Sequence, residues 1–138
     1  TCTIDFSHQE IGIQTLDIDV NQYSFTQEIA PARTFGFLKD AEMLWAKGLA
    51  LGGSLENTIV LNDDGIMNEE PLRYSDEFVR HKVLDALGDL TTVGVPLLGH
   101  LTLYKAGHDI MNGLIREILS NPESCKMVEL TGGDLALS

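Results

Sequence analysis

The sequence has few cysteines and few basic residues, and each shortage excludes a class of protein. Its two cysteines, Cys2 and Cys125, stand at opposite ends of the chain without the spacing of a thiolate metal site or a disulfide framework. Nine basic residues against 21 acidic ones give a net charge of -12, which repels nucleic acid and anionic lipid head groups. A bulk nucleic acid partner is therefore excluded, and a reducing cytosol is the simplest location.

Long apolar runs are also missing. No stretch approaches the roughly 18 residues of a membrane span, and no basic leader precedes an apolar segment. We therefore expect a soluble, cytoplasmic chain with no stable membrane insertion.

What is present is a chain of 138 residues, 43% hydrophobic, enough for one globular domain. Because it opens on Thr1 and alternates at once as a strand would, we expect a fragment.

Hydrophobic periodicity predicts both strands and helices. Alternating or short apolar segments predict strands at 15–20, 58–61, 66–67 and 97–104. Helical spacing predicts helices at 38–47, at 76–92 with Ser75 as N-cap, and at 108–120. Ser24 and Gln27 resemble a capping box that opens a short helix ending before Pro31. Together these elements predict an α+β fold, a two-layer sandwich of a small β-sheet and helices.

Acidic residues and a histidine recur every four positions on the predicted helix 76–92. Glu77, His81, Asp85 and Asp89 share one slowly drifting face, opposite an apolar stripe. A histidine and a carboxylate at i and i+4 can bind one metal ion from one helix face. Spacing alone nevertheless favours a solvated face with a His–Asp pair over a metal site.

Other polar residues carry weaker signals. His108 begins the last predicted helix, where an acid such as Asp89 could make it an acid–base group, although an ordinary polar residue is the simpler interpretation. Thr34, in an aromatic segment, is more typical of a turn or cap. A basic site for a single phosphate is conceivable among four cations near in sequence: Arg73, Arg80, Lys82 and Lys105.

Four segments are informative through their order and spacing. They are Arg-Thr-Phe-Gly-Phe at 33–37, Gly-Leu-Ala-Leu-Gly-Gly-Ser-Leu at 48–55, the helix segment 76–90, and Tyr-Lys-Ala-Gly-His at 104–108. Taken together, these segments resemble a bacterial zinc deacetylase family of lipid A synthesis, the UDP-3-O-acyl-N-acetylglucosamine deacetylases. The resemblance runs from about Thr3 to Leu119.

The resemblance implies that residues 1–138 form the C-terminal one of two similar domains, truncated at its N-terminal edge. His81 and Asp85 would bind catalytic Zn²⁺. The missing N-terminal domain would supply a third ligand, a histidine, and a general-base glutamate, with the active site between the domains. The reaction implied is hydrolysis of the N-acetyl group of UDP-3-O-acyl-N-acetylglucosamine to acetate and a free amine, an early committed step of lipid A biosynthesis.

In the mechanism that the resemblance implies, zinc polarises the acetamide carbonyl and a water molecule while the missing glutamate takes the proton of the water. Thr34 would help to hold the oxyanion. His108, oriented by Asp89, would stabilise charge or protonate the leaving amine. Lys82 would assist binding of the nucleotide sugar. Five residues would line the acyl-chain passage: Phe35, Ala50, Ser54, Leu55 and Thr58.

Three departures from the family pattern are Gln9, Pro31 and Ala106, and only Ala106 lies near a predicted site residue, His108. A second hypothesis is a catalytically incomplete binding or interaction module, because two ligands rarely retain zinc without a third. A third is a homo-oligomer that completes a site between copies, which no sequence feature favours. We also expect the isolated half to expose apolar surface and to associate.

Overall fold

Two three-stranded sheets are packed around one long helix in the computed structural model, which describes residues 1–49 and 52–129. The strands are β1 (Cys2–Phe6), β2 (Gly12–Leu16), β3 (Thr34–Phe37), β4 (Thr58–Asn62), β5 (Gly65–Ile66) and β6 (Leu103–Tyr104). The helices are α1 (Gln22–Ser24), which continues as a π-helical segment (Phe25–Ile29), α2 (Leu38–Ala46), α3 (Glu77–Leu90) and α4 (His108–Ser120). The predicted α+β class is confirmed, with two sheets rather than one.

Both sheets mix parallel and antiparallel pairing. In the first sheet β1 lies between β2, its antiparallel neighbour, and β6, its parallel neighbour. In the second sheet β4 lies between β3, which runs parallel to it, and β5, which runs antiparallel. The strands predicted at 58–61 and 66–67 are confirmed as β4 and β5, which form a hairpin. Asn62 Oδ1 stabilises its turn by accepting hydrogen bonds from the amides of Asp64 and Gly65.

Helix α3 connects the two sheets. It contacts β1, β2 and β3 as well as α4, so its apolar stripe faces the core. Phe78 and Val79 are fully buried, and Val83 and Ala86 are nearly so, which confirms the predicted apolar face. The core therefore sits between α3 and the two sheets, and residues elsewhere on α3 are left near its surface.

The ends of two helices differ from the predictions. Ser24 is the third residue of its helix, and the capping box pairs it with Asn21 rather than Gln27. Ser75 is not the N-cap of α3, because the helix begins one residue later and Asp76 precedes it. The amide of Val79 is instead satisfied by Gln14 Oε1 at 3.2 Å, a cap supplied from another element. Helix α4 has the predicted bounds, His108–Ser120.

Three strand predictions need correction. The strand predicted at 15–20 ends at Leu16, which pairs with Cys2, and beyond it the described residues offer no further ladder partner. The strand predicted at 97–104 is confined to β6, because only Leu103 and Tyr104 pair with β1. Thr34, interpreted as a turn or cap residue, instead begins β3, a strand that the periodicity did not predict and that pairs residue by residue with β4.

Across the described residues, no helix is both long enough and apolar enough to cross a bilayer.

Candidate active site

An apolar cleft of about 750 Å³ opens beside α3, where β3, β4 and α2 meet. Most of the residues that the sequence singled out reach its wall: Thr34, Phe35, Ser54, Leu55, Thr58, His81, Lys82, Asp85 and His108. Asp89 is not on the wall but contacts His108. Ala50, also predicted to line the acyl-chain passage, lies outside the described residues. The structure thus brings together segments separated by up to 74 positions in the chain.

His81 and Asp85 meet at the polar end of the cleft. His81 Nε2 lies 3.2 Å from Asp85 Oδ1, while His81 Nδ1 lies 3.1 Å from the carbonyl oxygen of Ala32. Both side chains are largely buried, with 14% and 23% of their surface exposed. A carbonyl can only accept a hydrogen bond, so Nδ1 carries a proton and Nε2 is directed at the carboxylate.

The protonation of this pair follows from its partners. Burial opposes the charge of His81 most strongly, yet its hydrogen bonds to Asp85 and to the Ala32 carbonyl, together with the attraction of the Asp85 charge, outweigh burial and raise the pKa of His81. Burial likewise opposes the Asp85 charge, but hydrogen bonds from His81 and Lys82 lower the pKa of Asp85 to about 2. The carboxylate is therefore ionised at neutral pH and needs positive charge beside it.

The donor set fits a divalent transition metal. With Nδ1 bonded to a carbonyl, a neutral imidazole directs the lone pair of Nε2 at a carboxylate oxygen, and two acceptors that face each other require a proton or a cation between them. A tetrahedral zinc ion with bonds of about 2.0–2.1 Å holds ligand atoms roughly 3.3 Å apart. The 3.2 Å between Nε2 and Oδ1 suits that arrangement. Within residues 1–49 and 52–129, no third histidine, cysteine or carboxylate joins this pair in a metal-binding cluster.

Lys82 forms an ion pair with the same carboxylate. Its Nζ donates to Asp85 Oδ2 at 2.8 Å, so the two oxygens of Asp85 face different cations, His81 on one side and Lys82 on the other. The lysine side chain is only 19% exposed. The bond to Asp85, which the sequence did not predict, thus holds Lys82 beside the candidate metal ligands.

His108 stands at the start of α4 with Asp89 behind it. Its Nδ1 donates to Asp89 Oδ2 at 2.7 Å, which leaves Nε2 free to face the cleft. The His108 side chain is 63% exposed and the Asp89 carboxylate 20% exposed. The predicted contact between these residues, 19 positions apart, is therefore present.

The cleft wall continues into the core through aromatic rings. Phe35 packs edge-to-face on Phe78 at 5.0 Å and on Phe6 at 5.5 Å, and its ring also stands 6.5 Å from that of His81. Thr34, the first residue of β3, is exposed beside the cleft. The strand β3 thus places the Thr34 hydroxyl on the wall of the same cleft as the His–Asp pair, and the Phe35 ring beside His81.

Sequence reasoning missed the ion pair that joins the start of β3 to the start of α3. Glu77, predicted on the same helix face as the metal ligands, is fully buried and paired with Arg33, which is 5% exposed. Arg33 Nε and Nη2 donate to the two carboxylate oxygens at 2.9 and 3.0 Å. The only signal was a charged residue preceding the aromatic segment, because the partners are 44 positions apart.

The four cations of the conceivable phosphate site do not form one cluster. Arg80 contacts Asp76 and Glu28, and Lys105 contacts Asp5. Arg73 donates to the carbonyl of Pro31. Each of these cations is held by an acceptor of its own, so the structure gives no support to a shared phosphate site among them.

Comparison with known proteins identifies the family. The family model described as "LpxC: UDP-3-O-acyl N-acetylglycosamine deacetylase" matches residues 1–120. The chain belongs to the LpxC family. The curated relatives include proteins named UDP-3-O-acyl-N-acetylglucosamine deacetylase, of which three are compared below. That of Bdellovibrio bacteriovorus is 57% identical over 136 residues, which are 99% of this chain and 45% of the relative.

The second and third of these relatives cover similar shares of this chain and of their own length. That of Myxococcus xanthus is 48% identical over 143 residues, which span 100% of this chain and 46% of the relative. That of Syntrophotalea carbinolica is 50% identical over 129 residues, which span 94% and 42%. The chain therefore spans less than half the length of the LpxC relatives it matches.

Proposed function

We propose that this chain supplies one half of the active site of a zinc-dependent amide hydrolase that removes the N-acetyl group from UDP-3-O-acyl-N-acetylglucosamine. Membership of the LpxC family supports the substrate and the reaction. The reaction would take place in the cytoplasm, as an early step of lipid A biosynthesis. A third ligand, a histidine, and a general-base glutamate would come from the part of the family's length that these residues do not span.

One observation carries the metal assignment: His81 Nε2 and Asp85 Oδ1 face each other across 3.2 Å while Nδ1 is bonded to a backbone carbonyl. This is the outer-shell arrangement of metal-binding histidines, in which the second ring nitrogen donates to a carbonyl or carboxylate. His81 and Asp85 would hold the ion. Once bound there, zinc would supply Lewis-acid polarisation of an amide carbonyl and of water.

The surrounding residues suit the steps of amide hydrolysis. Thr34 lines the same cleft as the His–Asp pair, and its hydroxyl would donate to the oxygen that becomes negative during attack. His108, in its imidazolium form, would give the proton on Nε2 to the departing amine and keep the proton on Nδ1, which it donates to Asp89. Asp89 would hold the imidazole in the orientation that this donation requires.

The rest of the cleft suits the two ends of the substrate. Its wall is mainly apolar, and Phe35, Leu55 and Val60 would accompany an acyl chain while Ser54 and Thr58 border it. Lys82 would attract the anionic nucleotide-sugar end, because its ammonium is held at the polar end of the cleft by Asp85. Ala50 remains a predicted member of this passage.

The test uses a protein that spans the full length of the family. His81→Ala and Asp85→Ala should each abolish hydrolysis of the N-acetyl group and release the bound zinc, measured by acetate production and by metal content. Asp63→Ala is the matched control, since that carboxylate pairs with Lys39 outside the cleft. Full activity in either ligand variant would rule out the assignment.

A second proposal concerns the 138 residues by themselves, which would act as a binding module without catalysis. It is favoured by the absence of a third metal-binding residue near His81 and Asp85 in the described part of the chain. Zinc affinity depends on a complete preorganised ligand set, so binding by two side chains should be weak. Deacetylation by the purified chain alone would refute this proposal, whereas activity only after addition of a family N-terminal half would support it.

A further inference from the structure

One peptide unit is held between two successive turns of α3. The carbonyl oxygen of Ala32 accepts from His81 Nδ1 at 3.1 Å, and the amide nitrogen of Arg33, in the same peptide unit, donates to Glu77 Oε1 at 2.9 Å. Glu77 and His81 are four residues apart on the helix, about one turn in sequence. We propose that Glu77 is a positioning residue, which fixes the imidazole of His81 through the Ala32–Arg33 peptide.

Glu77 is suited to this role because its own position is fully determined. Its carboxylate is completely buried and accepts from four donors: the Arg33 amide, Arg33 Nε, Arg33 Nη2 and the Arg73 amide. Arg33 Nη2 also donates to the carbonyl of Pro71 at 2.9 Å. Buried charges with this many partners have no alternative position of similar energy. The peptide is thus attached to an anchor that cannot shift.

The consequence concerns the direction of His81 Nε2. The Ala32 carbonyl fixes the Nδ1 edge of the ring, and the ring of Phe35 stands edge-on at 6.5 Å. With that edge fixed, Nε2 is directed at Asp85. The inference rests on the proposed function only where it treats Nε2 as a metal ligand, since the peptide contacts exist without any ion.

The test measures hydrogen exchange at His81 Nδ1 by NMR in the 138-residue chain, without metal and at a pH where the imidazole is charged. Replacing both members of the buried pair, Arg33→Met with Glu77→Met, removes the anchor and leaves an apolar core, a change that is often neutral for stability. We expect exchange to become roughly tenfold faster, the factor that corresponds to about 1.4 kcal/mol of lost hydrogen bonding.

The matched control is Arg33→Lys. This variant loses the guanidinium bonds to Glu77, Glu70 and Pro71 and some stability but keeps the backbone donor to Glu77, so exchange at Nδ1 should stay slow. If the double variant does not fold, Glu77→Asp replaces it, because a carboxylate one methylene shorter withdraws from the Arg33 amide. Slow exchange in the folded double variant, or equally fast exchange in Arg33→Lys, would overturn the proposal.

A second measurement separates this inference from the proposed function. Cobalt affinity of the same variants should be about 10-fold lower in the double variant than in Arg33→Lys, the usual cost of losing an outer-shell partner. If Nδ1 exchange responds as expected but no variant, wild type included, binds cobalt through His81 even in the full-length protein, positioning by Glu77 stands and the ligand assignment fails. If neither responds, Glu77 is a structural residue only.

Discussion

Asp85 is the residue on which the charges of the site converge. One oxygen faces His81 Nε2 and the other accepts from Lys82. Together these two contacts lower the pKa of Asp85 to about 2. Before any metal binds, His81 serves as the counter-ion of Asp85. A metal ion must therefore displace a proton from His81, and its binding should weaken as the pH falls.

The pair also makes stability depend on pH. The raised pKa of His81 contributes stability below its ordinary value of 6.5, which is lost as the pH rises through the higher folded value. The lowered pKa of Asp85 contributes stability above 3.8, which is lost as the pH falls toward about 2. Asp85→Asn should therefore lower the free energy of unfolding most between pH 3.8 and 6.5. Urea titrations of the metal-free chain at pH values below, within and above that range, against Asp63→Asn, measure the difference; the same difference inside and outside the range would contradict it.

At the scale of elements, α3 and β3 are joined by the buried Arg33–Glu77 pair. Burial opposes the Glu77 charge, but hydrogen bonds from Arg33 and Arg73 outweigh it and lower the pKa of Glu77. Arg33→Ala would leave a buried carboxylate without its cation, so we expect a loss of about 3–5 kcal/mol in the free energy of unfolding. Lys39→Ala removes a cation from the exposed pair with Asp63 and should change little. Denaturant titration of both variants compares them, and equal losses would show that burial is not the cause.

Two glycines near the end of α3 should change the free energy of unfolding in opposite directions when each is replaced by alanine. Gly94, with φ 86°, ends the short 3-10 turn Thr91–Val93 that follows α3. Among the described residues, no atom beyond its chain neighbours lies within 4 Å of an added methyl group, so an alanine there meets backbone strain alone. Gly88 is exposed inside the helix, also with open space. Gly94→Ala should cost about 1 kcal/mol, because alanine resists the left-handed conformation. Gly88→Ala should stabilise by roughly 0.8–1 kcal/mol. Thermal unfolding of both variants tests this, and a shift of the same sign in both would refute it.

The elements that could be predicted from sequence are those whose pattern is local. Helix α4 repeats its apolar residues over 13 positions and needed no partner to be recognised. The strand β3 was missed because its four residues gain their conformation from pairing with β4, 24 positions away. Conversely, residues 97–102 alternate like a strand without one to pair with. Strand formation depends on a neighbour that periodicity does not reveal.

At the scale of the whole molecule, charge and apolar surface act against each other. The net charge is -12, while large apolar side chains remain exposed, among them Ile13 at 73% and Leu98 at 83%. Like charges keep copies apart at low ionic strength, and salt screens that repulsion within about 10 Å at roughly 0.1 M. The chain should therefore associate more as salt is raised, which sedimentation at several salt concentrations measures. A monomer at every salt concentration would contradict the prediction.

The residues that line the site could be predicted more fully than the contacts that position them. His81, Asp85 and His108 were identified from helical spacing and from family resemblance, and the structure places all three at one cleft. The buried position of Glu77 could not be read from the same helix, because its period of four matches that of the cleft-facing residues while its partner lies 44 positions away. Local spacing locates side chains on a helix, and only tertiary packing decides which of them meet water.

Phe35 belongs both to the cleft wall and to the core, and this limits the substitutions that could change the shape of the cleft. Its ring touches the space beside His81 and at the same time packs on Phe78 and Phe6. A smaller residue at 35 would widen the cleft but leave a cavity against two core rings, so selection for a new ligand would be opposed by selection for folding. Diversification of the pocket among descendants should instead accumulate at Ser54 and Leu55, which are exposed and whose replacement leaves the core intact.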